Sequence, residues 1–252
     1  MNTSRQWIEH FNINATQQRI DWSQPPSITA GEVAVILRSL QAWQLGETSD
    51  GSNLLRASTR YARLINDPEY VLAMRLFIKE EQKHGNNLGR YLDCIGQERI
   101  KSDWGDTLFR RIRHFNTSME SWTLAVVVVE STAQIFYQSL KDAVSCPLLK
   151  QICTDILIDE AYHITFQTDR LAILFEGKTA AGKFLGHGFY RLFFFMTSVT
   201  VWMAHKKLFK AGGNTFSAYM KKMSYKYRKT VNRITSVKGG LGMPVNASAG
   251  FN

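Results

Sequence analysis

After Glu176 the 252-residue chain contains no acidic residue at all. Residues 177–252 carry 13 Lys and Arg, whereas residues 1–176 carry 18 against 21 Asp and Glu, so the whole formal excess of +10 sits in the last third. Such an asymmetry points to a separate role for the basic segment. Cysteine is scarce too. Cys94, Cys146 and Cys153 are odd in number and lack CxxC spacing, which excludes a disulfide framework and fits the thiols of a reducing compartment. The opening Met1-Asn-Thr-Ser-Arg-Gln-Trp7 has no apolar run of the secretory kind, so a cytoplasmic protein is expected. The charge-free run from Leu192 to Ala204 is 13 residues, too short to cross a bilayer. There is no solenoid repeat and no strand-like alternation of useful length. With only five prolines, long stretches of helical period remain unbroken, and an all-α fold follows.

Three segments are expected. Residues 1–28 form an N-terminal extension with a short amphipathic piece and the Pro25-Pro26 break. Residues 29–176 should form a bundle of four long helices. The first is read as one helix over about 29–65, although Gly46 to Asn53 is poor helix sequence. Asn66-Asp67-Pro68 supplies a turn, with Asp67 as N-cap and Pro68 at the first helical position. The second helix then runs to about Cys94, where Ile95-Gly96 ends it. Asp103-Trp104-Gly105 leads to a short helix, and a third long helix spans about 118–144. Ser145-Cys146-Pro147 turns the chain into a fourth, which Gly177 closes after Glu176. Residues 177–252 should add helices over about 184–209 and 215–237, packed on the bundle, and a Gly-, Ala- and Asn-rich tail from Lys238.

The chemistry-bearing signal is Glu-x-x-His, which occurs twice, as Glu81-Gln-Lys-His84 and Glu160-Ala-Tyr-His163. Composition alone predicts roughly 0.3 such pairs. Positions i and i+3 share a helix face, so each pair can present a carboxylate and an imidazole to one point. Glu130 ends the apolar run Leu124 to Val129, and Glu47 follows Ala42-Trp43-Gln44-Leu45. A carboxylate on an apolar stripe is costly unless paired, protonated or metal-bound. In an antiparallel hairpin, residues equally far from the turn lie at equal depth. The midpoint of Glu47 and Glu81 falls beside Asn66-Asp67-Pro68, and that of Glu130 and Glu160 on Ser145-Cys146-Pro147. Each hairpin therefore brings one lone Glu level with one Glu-x-x-His, which is the ligand set of ferritin-like di-metal bundles.

Four carboxylates and two divalent cations make a neutral buried cluster, which removes most of the desolvation problem. Oxygen and imidazole donors without thiolate suit iron or manganese. Two iron ions are the first expectation, with Mn/Fe and Mn/Mn as alternatives. Asp159 is placed to accept the free N–H of a ligating histidine, His84 by preference. Val126–Val129, Phe136, Ile156, Ile158 and Phe166 are candidates to line a substrate cavity, and Tyr162, inside the second motif, is a candidate neighbour of the site.

The stretch Glu80-Glu81-Gln-Lys-His84-Gly85-Asn-Asn-Leu88-Gly-Arg90-Tyr91-Leu92, with Gly96 beyond it, resembles the second metal-binding helix of soluble acyl-carrier-protein desaturases. Asp159-Glu160-Ala-Tyr-His163 resembles that family's second motif, and the likeness covers roughly residues 40–175. It implies a di-iron centre that activates O2 and is itself the catalytic group. It also implies an acyl chain, free or carrier-linked, in an apolar channel, and electrons from a small redox protein. Two positions depart from the family. Ala133 stands where a threonine follows the third-helix glutamate, with Ser131 and Thr132 beside it, and Tyr162 replaces a basic residue.

The basic end admits several partners. Lys221, Lys222, Lys226, Arg228, Lys229 and Arg233, interleaved with Tyr225 and Tyr227, would steer an acidic carrier protein. Lys206, Lys207 and Lys210, directly after the apolar run, suit an anionic membrane surface and peripheral attachment. No base-reading module accompanies these cations, which argues against nucleic acid. The leading reading is an O2-dependent oxidoreductase, with a homodimer compatible with it. A ferroxidase or iron-handling protein, and a non-catalytic binding module, are the alternatives.

Overall fold

A computed structural model describes residues 1–105, 107 and 118–236. Each long helix begins where the sequence supplies a cap or a break. Thr3 starts α1 (Ser4–Ala15) and Thr29 starts α2 (Ala30–Glu47), each through a reciprocal capping box, with Gln6 and Glu32 as the returning partners. Glu32 also accepts the Ser145 N–H at 2.5 Å, tying the head of α2 to a distant turn. Those bonds, Thr29 first and Ser145 next, hold the Glu32 carboxyl down at about 2.

The expected single helix over 29–65 is two. The chain leaves the helix after Glu47 and resumes in α3 (Ser52–Leu64). Gly51 makes the break with φ +65°, and a Cβ there would stand 2.7 Å from the Ile78 side chain, so the turn needs glycine on both counts. The physical reason is the run Gly46 to Asn53, whose Gly, Ser, Thr and Asp favour caps over helix interior. Glu47 therefore sits in the last turn of α2.

Asp67 accepts the Tyr70 N–H at 3.2 Å and opens α4 (Glu69–Cys94), one residue later than Pro68 suggested. Then follow α5 (Met119–Asp142), α6 (Pro147–Glu176), α7 (Ala180–Ala211) and α8 (Phe216–Ser236). α7 bends at His205, whose φ and ψ are −120° and 18°. Helices α2, α4, α5 and α6 form the central bundle, with α5 and α6 packed most extensively. α1 lies on α4, and α7 and α8 cover α5, α2 and α6. The short helix expected beyond Gly105 and the tail from Lys238 lie outside the described residues. Among the described residues no strand occurs, and no helix is long and apolar enough to cross a membrane.

The bundle interior is divided into two apolar cores. One holds Leu88, Leu140, Leu149 and Ile156 together with Phe194 and Phe209 of α7. The other holds Trp7 and Phe11 of α1 with Met74, Phe77, Ile78, Trp122 and Phe166. On α4 the motif of Glu81 and His84 falls between Ile78 and Leu88, and on α6 that of Glu160 and His163 falls between Ile156 and Phe166. A polar layer thus separates two hydrophobic cores at one level of the bundle.

Candidate metal centre

Four helices deliver six side chains to that layer. Glu47 comes from α2, Glu81 and His84 from α4, Glu130 from α5, and Glu160 and His163 from α6. They fall into two overlapping groups whose donor atoms lie within 4.8 Å of one another. One group is Glu47, Glu81, His84 and Glu160; the other is Glu81, Glu130, Glu160 and His163. Glu81 and Glu160 belong to both. Glu160, His84 and His163 are wholly buried, and Glu47 and Glu130 nearly so.

The outer nitrogens of the histidines are fixed by carboxylates. His84 Nε2 lies 3.0 Å from Asp159 Oδ2, and His163 Nε2 lies 2.8 Å from Glu80 Oε2. With each Nε2–H donated outward, Nδ1 presents a lone pair to the cluster. His163 Nδ1 then stands 2.7 Å from Glu81 Oε1, and His84 Nδ1 stands 3.8 Å from Glu160 Oε1. None of these atoms, nor the second oxygen of Glu160, finds a hydrogen-bond partner. Electron-rich atoms face each other in a buried layer, an arrangement that calls for cations between them.

The electrostatics agree. Burial, then the neighbouring Glu81, pushes the Glu47 carboxyl up to about 8. Burial likewise raises Glu130, and burial with the nearby Glu130 carries Glu160 well above the ordinary range. Burial alone would lower the two imidazoles. Instead the Asp159 hydrogen bond raises His84, and Glu81 followed by Glu80 raises His163 well above the usual value. A metal-free cluster must therefore take up protons, which two divalent cations would replace. The donor set fits a di-metal centre.

Asp159 stands where the sequence placed it, against His84, but it has more partners than expected. Asn14 Nδ2 at 2.8 Å, Arg19 Nη1 at 2.9 Å and Lys83 Nζ at 2.9 Å all donate to it. Asn14 donates to Glu80 as well, and Arg19 and Lys83 also reach Asp155. Asn14 and Arg19 lie in the segment read as an extension. They carried no signal, because they are single polar residues in a stretch without a motif. Glu80 was visible as half of the doubled glutamate. On the opposite side, Trp43 Nε1 and Tyr137 Oη donate to Glu47 Oε1 at 2.9 and 2.7 Å. Trp43 is one helical turn before Glu47 and Tyr137 two turns after Glu130, spacings that could have pointed to them.

Tyr162 does not face the cluster. Its ring is nearly half exposed and lies 4.1 Å from that of His10, because the residue before a ligand on a helix points about 100° away. The Thr132 hydroxyl donates to Val129 O at 2.7 Å while its side chain lines a cavity beside Glu130. Of the cations on α8, Lys221, Lys222, Arg228 and Lys229 are exposed. Lys226 is not available to a partner: it turns inward to Gln134, and burial lowers its pKa to about 8. Arg233 is likewise engaged, with Asp169 of α6 at 2.8 Å.

The cavity has a volume of about 410 Å3 and reaches Glu47, Glu81 and Glu130 at its inner end. Val126 and Val129 line it as expected, but Phe136, Ile156 and Phe166 are packed in the cores and Ile158 faces solvent. Much of the remaining wall belongs to α7, including Phe193, Thr197, Thr200 and Val201, none of which stands out in the sequence as a wall residue. Such a volume is within the range of about 300–1,000 Å3 for small-molecule sites.

Close approach of α4 and α2 at Gly85 carries Glu47 into the cluster. A Cβ at Gly85 would stand 2.8 Å from Thr48 Cγ2 and 3.0 Å from the Glu47 carbonyl carbon. Gly85→Ala is therefore expected to destabilise the protein by about 1–3 kcal/mol through overpacking, read by denaturant melts. An unchanged midpoint would show that the end of α2 yields freely.

Comparison with known proteins locates this architecture. No family profile and no curated protein matches the chain. Among solved structures, R2-like ligand-binding oxidase with an aerobically reconstituted Mn/Fe cofactor is 17% identical, covers 94% of this chain and 93% of its own, and superposes with a TM-score of 0.59. One single-site mutant of it reaches 0.62 at 18% identity, with 94% of both chains covered. Another reaches 0.63 at 17% identity, covering 94% of this chain and 97% of that one. The fold is ferritin-like. Within that ferritin-like frame the four central helices are the ones that carry the six side chains, and α7 and α8 are additions on the outside of the bundle.

Proposed function

We propose that this chain is a di-metal, O2-activating oxidoreductase that acts on a hydrophobic, acyl-type substrate. The observation that carries this reading is the meeting of six carboxylate and imidazole side chains beside an apolar cavity, with Glu81 Oε1, both Glu160 oxygens and the Nδ1 atoms of His84 and His163 lacking hydrogen-bond partners. Glu47 and His84 would serve one metal and Glu130 and His163 the other, with Glu81 and Glu160 shared. The donor set suits Fe/Fe, Mn/Fe or Mn/Mn, and the structurally similar oxidases carry Mn/Fe. Bound there, the metal pair would supply the electrons and Lewis acidity for O2 chemistry.

The chain's own residues do the rest. Asp159 and Glu80 hold the imidazole tautomers, and Trp43 and Tyr137 orient the Glu47 carboxylate. Val126, Val129, Phe193 and Val201 exclude water and hold an alkyl chain beside the donors. Reducing equivalents would come from a small electron-transfer protein.

The test is anaerobic reconstitution of the purified protein with Fe(II), Mn(II) or both, followed by metal analysis and absorption spectra before and after O2. Two metals per chain and a spectral change that requires O2 are expected. Less than one metal per chain would sink the centre. Two metals with O2 uptake that fatty acyl compounds leave unchanged, and no modified product, would retain the centre and remove the acyl substrate.

A further inference from the structure

α7 is apolar on its outer face as well as its inner one. Leu185, Phe189, Leu192, Met196 and Met203 recur at intervals of three, four and seven, which puts them on one side of the helix. Each is more than half exposed. A helix on the outside of a soluble bundle ordinarily carries charge at such positions, and a continuous exposed apolar stripe marks a binding surface. Beyond Met203 the same side continues with exposed Lys207 and Lys210, Lys206 beside them, and Arg191 is exposed partway along the helix. Lys207 donates to Ala34 O at 2.7 Å. α7 and α8 contain no carboxylate.

We infer that this face of α7 docks in the plane of an anionic lipid bilayer. Two features choose that occupant. The stripe runs into the exposed cations Lys206, Lys207 and Lys210, with Arg191 partway along it, and each lysine or arginine near an anionic surface is attracted to it. A second copy of the chain meeting the same face would bring only cations to the contact, with no acidic side chain on either helix to pair them. The helix is too short in apolar length to cross the bilayer, so it lies along the surface. Met196 belongs both to the stripe and to the cavity wall. If the proposed function holds, its acyl substrate would therefore pass from the bilayer alongside α7; the docking itself does not depend on that function.

The experiment is co-sedimentation of the full chain with phosphatidylcholine vesicles, with and without phosphatidylglycerol, at low and high salt. Roughly tenfold or more binding to the anionic vesicles, lost at high salt, is expected. Leu185→Glu with Leu192→Glu should remove about nine-tenths of it, as should Lys206→Glu with Lys210→Glu. Both pairs are surface positions, so unchanged circular dichroism and metal content keep the result separate from the di-metal reading. Equal binding to both vesicles, or equal binding by wild type and variants, would overturn the inference. So would a wild-type dimer on a sizing column that Leu192→Glu converts to monomer, which would assign the face to a second copy.

Discussion

Replacing Glu160 with leucine is expected to abolish binding of both metals and, at the same time, to make the metal-free protein more stable at pH 8. Both effects come from one position. Glu160 belongs to both donor groups, so its loss removes a ligand from each. It is also wholly buried, with neither oxygen hydrogen-bonded. Without metal the cluster is a liability, because its carboxyls hold protons that the unfolded chain would release. The sign follows from linkage. An acid whose folded pKa is raised favours the folded state fully below the unfolded value, and that stability is lost as pH rises through the folded value. For Glu47 that window runs from the ordinary 4.5 to about 8, and each unit is worth about 1.4 kcal/mol. Metal-free wild type should therefore lose stability steadily between those values, while the loaded protein should not, and loading should release protons. Leaving a buried polar group without hydrogen bonds costs about 1–3 kcal/mol, and an apolar side chain of similar volume removes that cost. Thermal melts of the metal-free proteins at pH 5 and pH 8, with metal analysis after reconstitution, read both effects. A Glu160→Leu protein that still bound two metals, or that melted below metal-free wild type at pH 8, would sink this account.

The parts of the centre that were legible in the sequence are those that repeat at helical spacing. Glu-x-x-His is a three-residue interval, and its two copies mark two helices without reference to anything distant. Glu47 and Glu130 could be matched to them because Asn66-Asp67-Pro68 and Ser145-Cys146-Pro147 mark the hairpin midpoints. The break after Glu47 did not disturb that match, since α3 continues toward the same turn. The residues missed are those whose role depends on a tertiary contact between segments far apart in sequence. Asn14 and Arg19 are about 140 residues from Asp159 and reach it only because α1 packs on α4. The cavity wall on α7 was equally invisible: Phe193 and Val201 look like core, and only the packing of α7 on α5 and α2 leaves space beside them. Lys226 illustrates the reverse error. A lysine in a basic run reads as solvent-facing, but its position on α8 turns it toward Gln134.

Asp159→Ala should be among the most destabilising single substitutions in the bundle, and Asp159→Asn should separate its two roles. The carboxylate is wholly buried and receives His84, Asn14, Arg19 and Lys83. Burial alone would raise its pKa. The His84 hydrogen bond and charge, then Asn14 and Lys83, hold it far below the ordinary carboxylate range instead. Alanine leaves Arg19 and Lys83 with Asp155 as their remaining carboxylate and strips the buried His84 and Asn14 of an acceptor, and breaking a buried pair from one side costs about 3–5 kcal/mol. For a chain of this size that is a fall in Tm of roughly 10 °C. Alanine also frees the His84 ring, so metal affinity should fall about 10–100-fold. Asparagine keeps the shape and one acceptor, and its stability loss should be smaller. It lacks the charge that holds the His84 proton on Nε2, so its metal affinity should fall nearly as far as alanine's. The depressed pKa fixes the pH signature. The wild type's advantage over Asp159→Asn is complete above the ordinary 3.8 and disappears as pH falls toward the lower folded value. Chelator competition and thermal melts of the three proteins give the comparison. If the asparagine protein bound metal as tightly as wild type, Asp159 would be a structural anchor for Arg19 and Lys83 and would not orient the ligand.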